Sequence, residues 1–62
     1  MKTIGERLRD ARGTKTQTEV CAIVGISRSA LGMYEKNMRI PRDQVKKKLA
    51  KLYEKSIEEL FF

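Results

Sequence analysis

Apolar residues recur at helical spacing in five stretches of the chain, and no stretch alternates apolar and polar residues as a strand would. In the first stretch Ile4, Leu8 and Ala11 are spaced at i, i+4 and i+7, with charged residues between them. The pattern predicts an all-α fold of five short helices around one core. The later stretches carry comparable stripes, formed by Val20, Cys21 and Val24, by Leu31 and Tyr34, by Val45, Leu49, Leu52 and Tyr53, and by Ile57, Leu60 and Phe61.

Short polar residues mark where three of these helices begin. Thr16 and Ser56 are each followed three residues later by a glutamate, which is the capping-box pattern. Ser27 can cap the third helix on its own. The fourth helix is predicted to begin at Pro41, because proline suits the first position of a helix, and to run to about Tyr53.

The second and third helices are both short and meet at Gly25, which predicts a helix-turn-helix over residues 16–35. Gly25 supplies the positive φ that such a turn requires, and Cys21 is small enough to let the third helix approach. Gly13 and Asn37 likewise fall where the first and third helices should end. Helices joined in this way cross steeply, so the third projects an outer face that fits the major groove of DNA.

The outward face of the third helix follows from a rotation of about 100° per residue. With Leu31 turned inward, this face consists of Arg28, Ser29, Gly32 and Met33. A plain solvent-exposed face is the simpler alternative. Against it, glycine inside a helix costs about 1 kcal/mol relative to alanine, and methionine is an unusual choice for an exposed position without a partner. A second surface lying close to this face would account for both residues.

Composition and charge limit the classes of function that the chain can have. The formal net charge is +6, and nine basic but only three acidic residues lie between positions 12 and 48, which favours a polyanionic partner such as nucleic acid. There is no histidine, and Cys21 is the only cysteine, so an internal disulfide and a zinc site are excluded; Cys21 is expected in the core. No catalytic cluster, phosphate loop or membrane-length apolar run is present, so the expectation is a cytoplasmic protein that is not an enzyme and needs no cofactor, metal, membrane or small-molecule ligand. A core this small also favours self-association.

Motifs spread over nearly the whole chain carry a family resemblance: Ile4-Gly5-Glu6-Arg7-Leu8-Arg9, Thr16-Gln17, Gly25-Ile26-Ser27, Tyr34-Glu35, Arg39-Ile40-Pro41 and Ser56-Ile57-Glu58-Glu59-Leu60. With these motifs the chain resembles the Cro and phage-repressor type of helix-turn-helix regulators, the xenobiotic response element family. The resemblance implies one lambda-repressor-like DNA-binding domain over residues 1–62, which binds operator DNA as a symmetric dimer.

The resemblance also implies roles for single residues. Thr16 and Gln17 begin the helix whose glutamine, in the family, contacts a DNA phosphate and steadies the recognition helix, with a merely solvated glutamine as the alternative. Among the lysines of the fourth helix, otherwise expected to be solvent cover, Lys46 is the best candidate for a phosphate contact. The other DNA-binding positions are Ser27, Arg28, Ser29 and Met33 on the third helix, joined by Gly32 from the geometry above, and Lys36, Asn37 and Arg39 in the following loop.

Two expectations concern contacts within and between chains. The resemblance implies an ion pair between Arg12 and Glu35 that ties the first helix to the third, with two unrelated surface charges as the alternative. Leu60, Phe61 and Phe62 are expected to form a dimer interface, because Phe61 and Phe62 cannot both face inward and an exposed aromatic end favours self-association. A frayed terminus is the alternative there.

Three features depart from the family pattern. The loop before Thr16 is shorter than usual, Asn37 replaces a loop glycine, and Met38 stands where a basic residue is frequent. The predicted function is nevertheless a sequence-specific double-stranded DNA-binding regulator, a phage or bacterial repressor that binds a pseudo-palindromic operator as a homodimer. The alternative is a protein-interaction module, such as an antitoxin or a polymerase-binding partner.

Overall fold

Five α-helices and no strand form the structure, a computed structural model that describes all 62 residues. Helix α1 spans Ile4–Arg12, α2 spans Gln17–Val24, α3 spans Arg28–Glu35, α4 spans Asp43–Tyr53 and α5 spans Ile57–Phe61. The prediction of an all-α fold with five short helices is confirmed. None of these helices has the length and apolar character needed to cross a membrane.

Hydrogen-bonded caps explain where four of the helices begin. Thr16 and Ser56 form the predicted capping boxes: their hydroxyls accept from backbone N–H groups three residues on, at 3.1 and 3.0 Å. In return, the glutamate at each of those positions accepts from the backbone N–H of the capping residue. Ser27 caps α3 by accepting from a first-turn N–H at 3.0 Å. Thr3 and Glu6 form a third capping box at α1, which was not predicted although the sequence pattern is the same.

The start of α4 differs from the prediction that Pro41 is its first residue. Pro41 is buried, and Arg42 after it is still extended, with φ −65° and ψ 161°. The carbonyl of Arg42 accepts the first helical hydrogen bond, from the Lys46 N–H at 2.9 Å. Helix α4 therefore begins at Asp43, whose carboxylate suits the positive end of the helix dipole. The proline ring packs inward and serves the extended approach to the helix instead of its first turn.

Every helix contributes a fully buried aliphatic side chain to one core, namely Leu8, Val20, Leu31, Leu49 and Leu60. Cys21 is also buried there, and burial raises the pKa of its thiol. Leu60 and Phe61 are only 2% and 5% exposed, so the prediction that they form a dimer interface is wrong. The five-residue helix α5 turns both side chains onto the core of its own chain. Phe62, 79% exposed, is the one residue of that set left at the surface.

Helices α2, α3 and α4 each end on a left-handed residue. Gly25 and Asn37, with φ of 80° and 61°, do so at the predicted places, whereas Glu54, with φ 56°, was not predicted. After each of them the chain folds back, and the following N–H donates across the last turn in a Schellman motif. These bonds run from Ile26 to Cys21 at 3.2 Å, from Met38 to Met33 at 2.9 Å and from Lys55 to Ala50 at 3.0 Å.

Candidate nucleic-acid interface

The turn between α2 and α3 fixes how α3 leaves the protein. The N–H groups of Gly25 and Ile26 both donate to the Cys21 carbonyl, at 2.8 and 3.2 Å. The left-handed Gly25 then redirects the chain, and the Ser27 cap starts α3 two residues later. On the inner side of α3, Leu31 is fully buried and Tyr34 nearly so. The helix is therefore anchored along one side and open along the other.

The open side of α3 borders a shallow surface depression. Arg28 and Ser29 are exposed and Gly32 and Met33 are half-buried, so the outward set derived from helical periodicity lies on one side of the protein. At Gly32 an added Cβ would meet no atom within 4 Å, so the fold itself does not require glycine there. The depression is lined by Gln17, Arg28, Ser29, Gly32, Met33, Lys36 and Met38.

Met38 is the lining residue that was not predicted to belong to this surface. Its side chain is 71% exposed, and it joins the depression because the chain turns back at the end of α3. The hydrogen bond from the Met38 N–H to the Met33 carbonyl closes that turn at 2.9 Å. The signal in the sequence was the left-handed Asn37, which implies a reversal of the chain directly before Met38. The depression thus contains two methionines beside Arg28 and Lys36.

Glu35 is the centre of a buried polar network behind α3. Its side chain is 4% exposed and accepts two hydrogen bonds from Arg12, from Nε to Oε2 at 2.8 Å and from Nη2 to Oε1 at 3.2 Å. The guanidinium also donates from Nη1 to the Lys15 carbonyl at 2.9 Å, which ties down the short loop before α2. The hydrogen bonds to Glu35 raise the pKa of Arg12 further above its ordinary value. A two-point ion pair therefore joins α1 to the last residue of α3.

Gln17 belongs to the same network. Its Nε2 donates to Glu35 Oε1 at 3.0 Å, so the side chain predicted to contact a phosphate also links the start of α2 to the end of α3. A carboxamide nitrogen carries two N–H groups, and one of them remains for a second acceptor. Gln17 is half-buried and lines the depression beside α3.

The loop after α3 presents exposed basic side chains around an internally bonded Asn37. Lys36 and Arg39 are exposed, as expected for phosphate contacts. Asn37, also expected to face DNA, has its side chain hydrogen-bonded to α1: Oδ1 accepts from the Gly5 N–H at 2.9 Å, and Nδ2 donates to Thr3 Oγ1 at 3.0 Å. The Asn37 side chain therefore connects two parts of the fold.

Lys46 does not point toward the depression. Its Nζ lies 5.5 Å from the ring centroid of Phe61 and 5.6 Å from that of Phe62, and 3.9 Å from Asp43 Oδ1. The side chain is 18% exposed, since it covers the aromatic end of α5. The prediction that Lys46 reaches a phosphate is therefore replaced by a contact between α4 and α5. Cation–π attraction to the ring faces accounts for this placement.

A protein-family model described as Helix-turn-helix matches residues 6–60, which include all of the helix-turn-helix, the loop after α3 and α4. No individual curated protein and no solved structure matches the chain.

Proposed function

Because the chain belongs to the Cro/C1-type helix-turn-helix family of DNA-binding regulators, we propose that it is a sequence-specific repressor that binds double-stranded DNA as a homodimer. One observation carries the proposal: the outward side of α3 borders an open depression whose lining combines Arg28, a side-chain-free Gly32 and basic Lys36. A helix seated in the major groove needs such a face, with a donor side chain for base edges and a close-approach position.

Base discrimination is assigned to α3. Arg28 stands in the first turn and is exposed, so its guanidinium can donate two hydrogen bonds to one guanine. Met33 supplies an apolar surface for a thymine methyl group. Ser29 both donates and accepts, and therefore distinguishes bases poorly by itself. Few direct contacts are then available, and DNA shape contributes part of the specificity.

Backbone contacts are assigned to the two segments that flank this face. Lys36 and Arg39 supply exposed positive charge after α3. On the other side, α2 begins at Gln17 after the Thr16 cap, and the positive end of a helix dipole suits a phosphate. The Arg12–Glu35 pair and the Gln17 contact to Glu35 would hold α3 at a fixed angle to this helix start. Phosphate contacts of this kind set the register of the protein on the duplex.

The proposed repressor role follows from the occupation of an operator by the bound protein. A dimer of residues 1–62, each copy acting as one DNA-binding domain, would place two recognition helices on the half-sites of a pseudo-palindromic operator. Bound at a promoter in a bacterial or phage-infected cytoplasm, it would block polymerase and repress transcription. Protein concentration and the dimer equilibrium would then set the level of repression.

The decisive experiment selects bound sequences from random duplexes with the unmodified chain and with Arg28→Ala. The unmodified chain is expected to enrich a pseudo-palindromic site, and Arg28→Ala should lose about 1–3 kcal/mol of preference at one base-pair position per half-site. Lys47→Ala is the control: it removes one exposed positive charge outside the depression and should weaken binding evenly across sequences.

An Arg28→Ala variant that keeps the full base preference would show that the reading face is assigned wrongly. If the unmodified chain binds no duplex even at low salt, the DNA-binding role itself fails, and a protein-interaction module such as an antitoxin takes its place. True DNA binding should weaken by orders of magnitude over a fourfold rise in salt.

A further inference from the structure

The residue that ends α3 does more than adopt the required backbone conformation. Asn37 has φ 61°, and its N–H donates to the Tyr34 carbonyl at 3.3 Å within the Schellman motif. Glycine would satisfy this backbone requirement without strain. Asparagine at the same position adds a side chain with one acceptor and two donor groups, which are free to bond elsewhere in the fold.

The Asn37 carboxamide bridges the loop after α3 to the first turn of α1. The Gly5 N–H, which has no helical acceptor so close to the start of α1, donates to Asn37 Oδ1 at 2.9 Å. The Asn37 Nδ2 donates to Oγ1 of Thr3 at 3.0 Å, and Thr3 is also the cap of α1. We call these two hydrogen bonds the Asn37 latch. They join residues more than thirty positions apart in the sequence.

The two backbone segments that the latch joins are in close contact. A Cβ added at Gly5 would collide with the carbonyl oxygen of Glu35 and would lie 3.0 Å from Asn37 Nδ2. The first turn of α1 therefore lies directly against the end of α3. Lys36 directly precedes Asn37, Arg39 lies two residues after it, and both side chains are exposed. The latch thus fixes the stretch of backbone that carries both cations.

We propose that Asn37 is a positioning residue, and that its latch holds the loop after α3 so that Lys36 and Arg39 meet DNA phosphates without first having to order. This inference rests on the proposed DNA-binding function and names a part of its mechanism. A loop held before binding avoids the entropic cost of immobilising it on the duplex. The Asn37 side chain itself takes no part in binding DNA.

The test uses two uncharged substitutions that open the latch from either side. Asn37→Gly keeps the left-handed backbone and removes both hydrogen bonds, whereas Thr3→Val removes the acceptor for Nδ2 at the cap of α1. Each variant is titrated against a 30-base-pair duplex of mixed sequence at several salt concentrations, under conditions where circular dichroism shows it fully folded. Binding should weaken about 3- to 10-fold, as expected when a short stretch of loop must become ordered on the duplex. The plot of log Kd against log salt should flatten by up to about 0.9 for each phosphate that the variant no longer neutralises.

Two controls separate positioning from stability. Ser56→Ala removes the cap of α5, as Thr3→Val removes that of α1, so both lower the melting temperature, but Ser56→Ala leaves the latch intact and should bind DNA normally. Thr3→Ser keeps the hydroxyl and should bind with the affinity of the unmodified chain. In the Asn37→Gly/Thr3→Val double variant the binding defect should be no larger than in Asn37→Gly alone.

Three results would overturn the inference. Folded Asn37→Gly and Thr3→Val variants that bind with the affinity and salt slope of the unmodified chain would make the latch a stability element only. A defect in Asn37→Gly without one in Thr3→Val would show that the bond from Asn37 to Thr3 does not position the loop, and would overturn the latch as a two-bond unit. If the unmodified chain binds no duplex, the DNA-binding proposal fails first and the positioning role fails with it, a result distinct from the other two.

Discussion

At the scale of single residues, two glycines on helices have opposite surroundings. The Cβ that alanine would add to Gly32 meets no atom within 4 Å, whereas at Gly5 it would collide with the Glu35 carbonyl. Gly5 is therefore required by the packing of α1 against α3. The choice of glycine at Gly32 has no such reason inside the fold, and a close approach to DNA supplies one.

The first prediction compares Gly32→Ala with Gly5→Ala. Gly32→Ala should raise the free energy of unfolding by about 1 kcal/mol, because alanine is the better helix former, and should weaken duplex binding, because the methyl group occupies the space where the groove would lie. Gly5→Ala, the same chemical change, should lower stability. Urea denaturation and duplex titration measure both effects. Duplex binding by Gly32→Ala as tight as that of the unmodified chain would rule out close approach at this position.

The second residue-scale prediction concerns Tyr53, whose hydroxyl is buried without a hydrogen-bond partner. Burial, reinforced by the charge of Glu35, raises its pKa to about 12 from an ordinary value of 10.0. Above pH 10 the unfolded chain ionises this group and the folded chain does not. The free energy of unfolding is therefore independent of this group below pH 10 and decreases between pH 10 and about 12.

Tyr53→Phe removes the unpartnered hydroxyl and should raise the free energy of unfolding at neutral pH by about 1 kcal/mol. The advantage over the unmodified chain should grow between pH 10 and 12. Denaturation curves at pH 7 and pH 11 measure both effects, and Tyr34→Phe is the same change at the other tyrosine. A loss of stability in Tyr53→Phe would mean that the hydroxyl is hydrogen-bonded after all.

At the scale of helices, sequence reasoning succeeded where the relevant interaction is local. The boxes at Thr16 and Ser56 span three residues, and the ends at Gly25 and Asn37 depend on one backbone angle each, so the pattern alone was sufficient. The left-handed Glu54 could not be foreseen, because glutamate has no preference for that region and the packing of α5 beyond it decides the turn. Helix boundaries that are determined by tertiary packing cannot be predicted from the periodicity of apolar residues.

The capping boxes predict how the stability of the fold depends on pH. Hydrogen bonds from the backbone at Thr3, Thr16 and Ser56 lower the pKa values of Glu6, Glu19 and Glu59. Because the folded-state values are depressed, this stabilisation is present above the unfolded-state pKa and is lost as pH falls through the folded-state values. The free energy of unfolding should therefore decrease from about pH 5 downward.

Glutamine at the three capping glutamates keeps the hydrogen bonds and cannot titrate. The triple variant should lose less stability than the unmodified chain between pH 5 and pH 3, as urea denaturation at each pH will show. Glu58→Gln removes an exposed glutamate that caps nothing and should keep the original slope. An unchanged slope in the triple variant would mean that the caps contribute nothing to acid sensitivity.

At the scale of the whole molecule, the site was predictable as a face, whereas of the network behind it only the Arg12–Glu35 pair was predicted. Helical rotation alone placed Arg28 and Met33 on the same open side of α3. The Gln17 bond to Glu35 depends on how α2 packs against α3, and the Asn37 bond to Thr3 depends on where α1 lies across the bundle. A family resemblance indicates which positions in the sequence contribute to a site. Contacts such as these depend on the individual side chains that meet in the folded chain.

At the aromatic end of α5, too, the sequence pattern did not determine which side chain the fold buries. Phe61 is the last residue of α5 and is buried, whereas Phe62 follows the helix and is 79% exposed beneath Lys46. A chain with so small a core gains from covering such a ring with a second copy. Phe62→Ser should therefore weaken the proposed homodimer, seen by sedimentation, and lower affinity for a two-half-site operator more than for a single half-site, with the monomer fold retained.

Two substitutions make this test specific. Ile23→Ser removes an exposed apolar side chain from α2 and should leave self-association unchanged. Phe61→Ala empties a core position and should lower the free energy of unfolding by about 3–5 kcal/mol, so its effect on assembly cannot be separated from unfolding. An unmodified chain that sediments as a monomer at all concentrations, or a Phe62→Ser variant that dimerises normally, would remove Phe62 from the interface. Any symmetric dimer would then have to use another surface, because Leu60 and Phe61 are already enclosed within each chain.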